Sequence, residues 1–490
     1  RSLPTALPVA EAAGAARFGR RSVQADALAL FSVLWALAAT WHLLGNTTIA
    51  PAWAQALLAI GIAAVLLRPG AVGPLVLLAA GGLVTVWEEA PLLGNHWLLV
   101  GFVDLAIVGA ALVGVARRRP SDRTDMANRL FPAARATLLG FYAFAAFAKL
   151  NEAFFDRSVS CAVYFYRQST ESLGLAGLQM GGAAWIDHAV IYGTVAVELA
   201  IPVLLLLPAT RRLGVVVAVV FHGLLALDLT HQFFDFSSVL TALFLLFLPP
   251  TAGSWVAERV GSVRARLALR HERLPRRVHL ALAGVVTVLA LLVSLDALGP
   301  DSGRVVGWWP WQAFVVLCVA MTVRFLRQER APASVRMRPH HWAFAAVPLL
   351  VVLNGLTPYL ELKTGYGWNM YANLRTVDGE TNHLLVPRTL PLTDEQADLV
   401  EILDTSSAGL AHYAAHEYAL TWRQLRAYLA HHPDVRLTYR RGNEVVHLER
   451  ASDDPELVEP VPSWLEKLQL FRAVDLTEPE RCLPVWGPAR

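Results

Sequence analysis

The sequence predicts an all-α polytopic membrane protein of about eleven spans, some of them re-entrant, followed by a small C-terminal α+β extracytoplasmic domain. Three observations predict it. Of 490 residues, 55% are hydrophobic and 17% charged, against about 25% charged in an ordinary soluble domain, and the mean hydropathy is +0.44. Apolar runs near the ~20 residues needed to cross ~30 Å of hydrocarbon recur from Asp26 to about Leu356. From Thr357 onward the composition becomes that of a water-exposed module. These numbers exclude a water-soluble enzyme and a disordered chain, which is poor in apolar residues and strongly charged. Three cysteines, Cys161, Cys318 and Cys482, are too few and too scattered for a bridge framework or a CxxC metal site.

Residues 1–25 read as a cytoplasmic N-terminal segment. No cleavable signal is seen, because Arg17, Arg20 and Arg21 precede a first run that reads as a start-transfer helix. The apolar cores run from Asp26 to Gly45, Ala52 to Leu67, Ala71 to Trp87, Trp97 to Ala116, Ala133 to Leu150 and Ala183 to Leu207. They continue from Leu213 to Thr230, Phe233 to Leu248, His279 to Leu298, Trp308 to Phe325 and Trp342 to Leu356. The second, third, eighth and last are short or interrupted and suit tilted or re-entrant pieces. With the N-terminus inside, the inner segments hold 25 arginines, and the outer loops hold Arg157, Arg167, Arg304 and the acidic pair Glu88 and Glu89. The positive-inside rule then puts residues 357–490 outside. In that tail, Leu392 to Leu403 and Leu410 to His431 read as amphipathic helices, and Val435 to Leu448 as a β-hairpin turning near Gly442. The tail carries 13 basic and 20 acidic residues, net −7, so the net +3 of the chain leaves +10 for residues 1–356.

Ionisable side chains inside spans are costly and each needs a reason. Only three of the 42 basic residues are lysines, and Lys149, in FYAFAAFAKLNEAFF, is the one lysine before residue 357. An amine in a desolvated site can lose its proton and serve as a general base, whereas a guanidinium cannot; the competing reading is a lysine snorkelling to the outer interface. His222, in VVFHGLLALDLTHQ, can titrate or merely hydrogen-bond across a helix interface. His96 stands at the outer mouth of the fourth span, where an interfacial anchor competes with a functional role. Asn95 precedes it, and Asp104 follows eight residues later on roughly the same face. Glu198 lies deep in VAVELAIPVLLLL, where Pro202 makes a helix-bending network the alternative. Asp228, His231 and Asp235 read as a polar turn. His412 and His416 share a helical face but lack a third ligand, so no metal is predicted, and no nucleotide or nucleophile-elbow motif is present.

AFAKLNEAFF, VELAIPVLLLLPATRRLG, VVFHGLLAL, GNHWLLVG and GYGWNMYANLRTVDGETNHLL resemble, in this set, the HTTM family, the membrane domain shared with vitamin K-dependent γ-glutamyl carboxylases. The resemblance runs from about the third span to the hairpin near Val435. It implies that Lys149 matches the base that deprotonates reduced vitamin K, that His96 and His222 belong to the same active region, and that Glu198 falls where the family often keeps a carboxylate. Trp368, Asn369 and Met370 match the stretch leading into the outer domain and are expected to contact substrate. The implied chemistry is oxygenation of a hydroquinone, reduced vitamin K or menaquinol, to an epoxide, with a strongly basic alkoxide that removes a γ-proton from a peptide glutamate, whose carbanion captures carbon dioxide. The expected partners are the lipid bilayer, the quinone and a peptide or protein substrate on the extracytoplasmic side; nucleic acid is not among them. The chain departs from the animal carboxylases in having Ala148 before Lys149 where they carry a lysine doublet, and in its short acidic tail. A quinone-dependent oxidoreductase without carboxylation and a non-catalytic lipid-binding or transport scaffold are the competing functions.

Overall fold

A computed structural model describes residues 22–45, 50–116, 122–177, 183–270, 272–299, 302–329, 335–339 and 341–482. Most of the expected N-terminal segment, with Arg1, Arg17, Arg20 and Arg21, lies outside the described residues, as do Arg117, Arg118, Arg119 and Arg330. The described chain is mostly helical. Its first helices are α1 (Val23–Gly45), α2 (Ala52–Leu67), α3 (Val72–Glu89), α4 (Asn95–Ala116) and α5 (Arg123–Phe147). Two short helices, α6 (Glu152–Phe155) and α7 (Cys161–Ser172), lead to α8 (Ala184–Leu206), α9 (Arg211–Leu225) and α10 (Phe234–Phe244). Then come α11 (Thr251–Arg270), α12 (Leu274–Ser294), α13 (Ser302–Gln328) and α14 (Ala346–Leu356).

Seven of these helices are long and apolar enough to cross a membrane, eight if Phe234–Phe247 and Thr251–Leu269, bent by 110°, count as one broken span. Ala52–Leu67 and Trp342–Leu356 are apolar but shorter. Every run picked from the sequence is helical over most of its length; fewer of them are span-length. The difference comes from α9, which stops at Leu225 rather than Thr230, and from α10, which tightens into a 3-10 turn at Leu245–Phe247 before Pro249 and Pro250 redirect the chain. Large apolar side chains such as Leu112, Val115, Leu213, Leu224, Leu282 and Val316 remain more than half exposed, as side chains that face lipid do.

The two ends of the bundle differ chemically. At one end, Arg135 donates to the carbonyls of Leu246 and Arg336, Arg212 to that of Glu329, and Trp255 and Arg259 to the Gln328 side chain. This is the arginine-rich face of the sequence. The other end carries the tail: Lys467 donates to the Trp87 carbonyl, Asn151 to that of Ala372, and Cys161 is joined to Cys482 by a disulfide. The three cysteines form no framework, as expected, but two of them make a single bridge that the sequence reading did not foresee. The partners are 321 residues apart, so the fold and not local spacing brings them together.

The tail is α+β, as expected. A ribbon of β1 (Thr376–Val377) and β2 (Glu380–Thr381) precedes a five-stranded antiparallel sheet in the order β6-β5-β3-β4-β7, built from β3 (Leu399–Thr405), β4 (Tyr418–Thr421), β5 (Leu437–Arg441), β6 (Glu444–Leu448) and β7 (Val474–Asp475). The β5–β6 hairpin turns at Gly442, whose φ of 58° suits glycine. Two expected helices are corrected. Leu392 to Leu403 is turns followed by β3, because Val400 and Ile402 alternate into the core with period two. Leu410 to His431 is not one helix but α15 (Ala408–His416), β4 and α16 (Trp422–Leu429): Glu417, at φ 57°, ends the first, and the Thr421 hydroxyl accepts from the Gln424 amide to cap the second. A core of Val400, Ile402, Leu420, Leu425, Leu429 and Leu437 holds sheet to helices.

Candidate functional site

The C-terminal ends of α5 and α9, the face of α8 and the segment after α14 enclose a cavity of about 630 Å³, almost wholly apolar and lined by Lys149, Glu198, Tyr142, His222, Asn95, Trp368, Met370 and Tyr371 among others. Its polar groups converge. Lys149 Nζ lies 2.8 Å from Glu198 Oε2 and donates to the Ala145 carbonyl at 3.1 Å. Both side chains are nearly buried, so the ion pair is held in a low-dielectric wall. Seven residues before Lys149, on the same helical face, the Tyr142 hydroxyl sits 3.1 Å from His222 Nε2. His222 Nδ1 has no hydrogen-bond partner among the described residues.

The turn that presents Lys149 is fixed by the C-terminal tail. Helix α5 ends at Phe147, and Asn151 donates to the Ala148 carbonyl at 2.8 Å and to the Ala372 carbonyl at 2.5 Å while its side chain caps α6 through the Phe154 amide. His383 pairs with the Phe147 carbonyl at 2.9 Å, its ring 4.3 Å from that of Phe147. The cavity roof, 366–373, holds Tyr366, Trp368, Tyr371 and Asn373 at positive φ, a backbone that costs on the order of 1–3 kcal/mol per residue and concentrates at functional sites. The Trp368 amide donates to Asn95 Oδ1 at 3.2 Å and its indole to the Val351 carbonyl at 2.7 Å. Burial pushes the Tyr371 phenol up to about 12, so it remains a hydrogen-bond donor across the physiological range.

His96 faces a second, smaller cavity of about 170 Å³ that shares Phe233, Phe236, Met370 and Tyr371 with the first. The Phe236 ring is 5.2 Å from that of His222 and 5.8 Å from that of His96, so the two imidazoles lie within about 11 Å of each other. His96 Nε2 is 2.8 Å from Asp235 Oδ2, which also contacts His42 Nδ1 at 3.0 Å, and His42 Nε2 meets Glu89 Oε1 at 2.8 Å. The His42 ring stacks on Trp97 at 3.4 Å.

Of the residues singled out in the sequence, Lys149, His222, Glu198, Asn95, Trp368 and Met370 line the large cavity and His96 its neighbour. Two do not join them. Asp104 is buried between α3 and α4, accepting from the Trp35 indole at 2.8 Å, and a Cβ at Gly82 would come within 2.0 Å of its carboxylate; eight residues carry it too deep below His96, into helix packing. Asn369 lies outside both linings and accepts from Arg472 through its backbone carbonyl at 3.2 Å. Glu89, expected in an outer loop, is the buried last residue of α3. The His412 and His416 rings lie 4.1 Å apart on the outward side of their helix, and Asp228 caps its own turn by accepting from the Thr230 and His231 amides. Sequence reasoning missed Tyr142, His42 and the role of Asp235. The seven-residue spacing from Lys149 could have revealed Tyr142; nothing local marks His42.

Comparison with family models, curated proteins and solved structures found no match for this chain.

Proposed function

We propose that this chain is an HTTM-type membrane protein with a vitamin K-dependent carboxylase-like site, using a reduced quinone at an intramembrane cavity near the extracytoplasmic side. The observation that carries the reading is the pairing of the one membrane-region lysine with Glu198 in the wall of an apolar cavity large enough for a quinone ring. A reduced quinone supplies the acidic hydroxyl and the oxygen-reactive ring. Passing the Lys149 ammonium proton across 2.8 Å to Glu198 would give an amine–acid pair, in which the neutral Lys149 amine would take the hydroxyl proton as general base while Glu198 keeps the first proton. His222, oriented through Tyr142, donates where oxyanion charge develops. The apolar walls would limit the water that reaches a strong base. Trp368 and Met370 form the roof against which a ring packs.

The N-terminus is assigned to the cytoplasm and residues 357–490 to the outside. Two independent features support this: the tail sits at the end of the bundle opposite the arginines, and the Cys161–Cys482 bridge belongs to an oxidising compartment. The seven long helices, the bent pair and the two shorter apolar helices make ten candidate segments, and the about eleven of the sequence reading would require α9 to enter the membrane as well.

Purification followed by mass spectrometry of bound lipids and turnover with menaquinol tests the function. A bound quinone, quinol conversion and carboxylated glutamate are the expected result. Conversion without carboxylated glutamate reduces the protein to a quinone-dependent oxidoreductase. A cavity holding only phospholipid, with no quinol turnover, overturns the proposal in favour of a lipid-binding scaffold.

A further inference from the structure

Beside the Lys149 cavity, four ionisable side chains from four helices meet: His42 near the end of α1, Glu89 at the end of α3, His96 in the first turn of α4 and Asp235 in the first turn of α10. We propose that His42, His96 and Asp235 bind a divalent transition-metal ion, through His42 Nδ1, His96 Nε2 and the Asp235 carboxylate, with Glu89 as the carboxylate behind His42. This site is separate from the amine–carboxylate pair and does not rest on the quinol reading.

Geometry is the first support. One donor atom from each of the three residues lies within 4.8 Å of the others, and the two nitrogens are 3.0 and 2.8 Å from the same carboxylate oxygen. Bonds of about 2.1 Å at angles of 90–109° need donors roughly 3.0–3.4 Å apart; the two N···O contacts need at most a few tenths of an ångström of expansion, and the two nitrogens, within 4.8 Å of each other, need to stand at that same spacing. Second, His42 Nε2 contacts Glu89 at 2.8 Å, the arrangement in which a carboxylate fixes the ring of a metal-bound histidine and raises its basicity. The Trp97 stack holds the same ring in place.

Charge is the third. Two carboxylates, each at most 5% exposed, need compensation; a divalent cation supplies it with both histidines neutral, as ligands must be. The fourth is room. The 170 Å³ cavity opens onto His96 and Asp235 and takes in Gln232. Gln232 Oε1 is buried without a hydrogen-bond partner among the described residues, and its backbone is held at φ 53°. That oxygen and cavity water can fill the remaining coordination positions. Two imidazoles and one carboxylate suit zinc, iron(II), cobalt(II) or manganese(II).

The test uses the full chain in detergent, stripped with chelator and titrated with cobalt(II), zinc or iron(II) alone. One cobalt per chain with a visible d–d spectrum is expected. His96→Ala and Asp235→Asn should abolish the spectrum, Glu89→Gln should weaken affinity 10–100-fold, and His416→Ala, on the exposed pair, should change nothing. Should a variant fail to fold, X-ray absorption of the cobalt-loaded wild-type chain counts the imidazoles, two being expected. No binding by folded wild type at millimolar metal, no imidazole in the absorption spectrum, or full binding by His96→Ala overturns the proposal and leaves a hydrogen-bonded His–carboxylate relay.

Discussion

The Lys149–Glu198 pair gives the most stringent test of the cavity's electrostatics. Lys149→Met leaves a carboxylate, and Glu198→Leu an ammonium, in an apolar wall where the native side chains keep only 10% and 12% of their surface. Breaking a buried pair from one side costs about 3–5 kcal/mol, whereas replacing both partners by apolar groups is often neutral or stabilising. The cavity admits some solvent relief, so about 3 kcal/mol is expected for each single variant, or roughly 6 °C in melting midpoint at about 2 °C per kcal/mol for a large domain. The double variant should melt within about 2 °C of wild type. Tryptophan-fluorescence melts in one detergent at one scan rate measure this, the fixed rate being needed because unfolding of such chains is usually irreversible. If the losses of the two single variants simply add in the double, the groups do not interact and the reasoning fails.

Other outcomes follow from the same geometry. Tyr142→Phe removes the hydroxyl from His222 Nε2; loss of about 1–1.5 kcal/mol should lower quinol turnover about tenfold while leaving quinol affinity near wild type, as a titration beside the rate assay shows. Cys482→Ser opens the bridge to Cys161 and should cost about 2–4 kcal/mol, seen as earlier proteolysis of the tail; in a Cys318→Ser background, which removes the free thiol, Cys161 and Cys482 should stay unreactive to maleimide until reduced. Burial pulls the Lys363 amine down to about 7. Its folded value lies below the unfolded one of about 10.4, so the unfolded state holds more protons between those limits and tail stability rises with pH across that window. Lys363→Met should remove that rise in melts taken from pH 7 to 10.

What the sequence revealed and what it hid divide along a physical line. Helix positions were legible because lipid demands continuous apolar runs, and the hairpin near Gly442 because alternation and a glycine turn are local signals. Lys149 stood out by scarcity, and its partner Glu198 by being a carboxylate in an apolar run. Hidden were the features made by tertiary closure: the Cys161–Cys482 bridge, and His42 between Glu89 and Asp235, whose members come from three helices. Short amphipathic runs in the tail misled because Val400 and Ile402 fit a helix face as well as a strand until β4 and β5 flank them. Asp104 misled because helical periodicity gives a face and not a depth; that face belongs to the Trp35 contact.

The central claim is that Lys149 moves the quinol proton. Its most direct test compares menaquinol turnover and menaquinol binding by wild type, Lys149→Met and Lys149→Arg across pH. Loss of turnover by at least 100-fold in both variants, with binding kept in Lys149→Met, is predicted. Unchanged turnover with an unchanged pH profile in Lys149→Met would contradict the account.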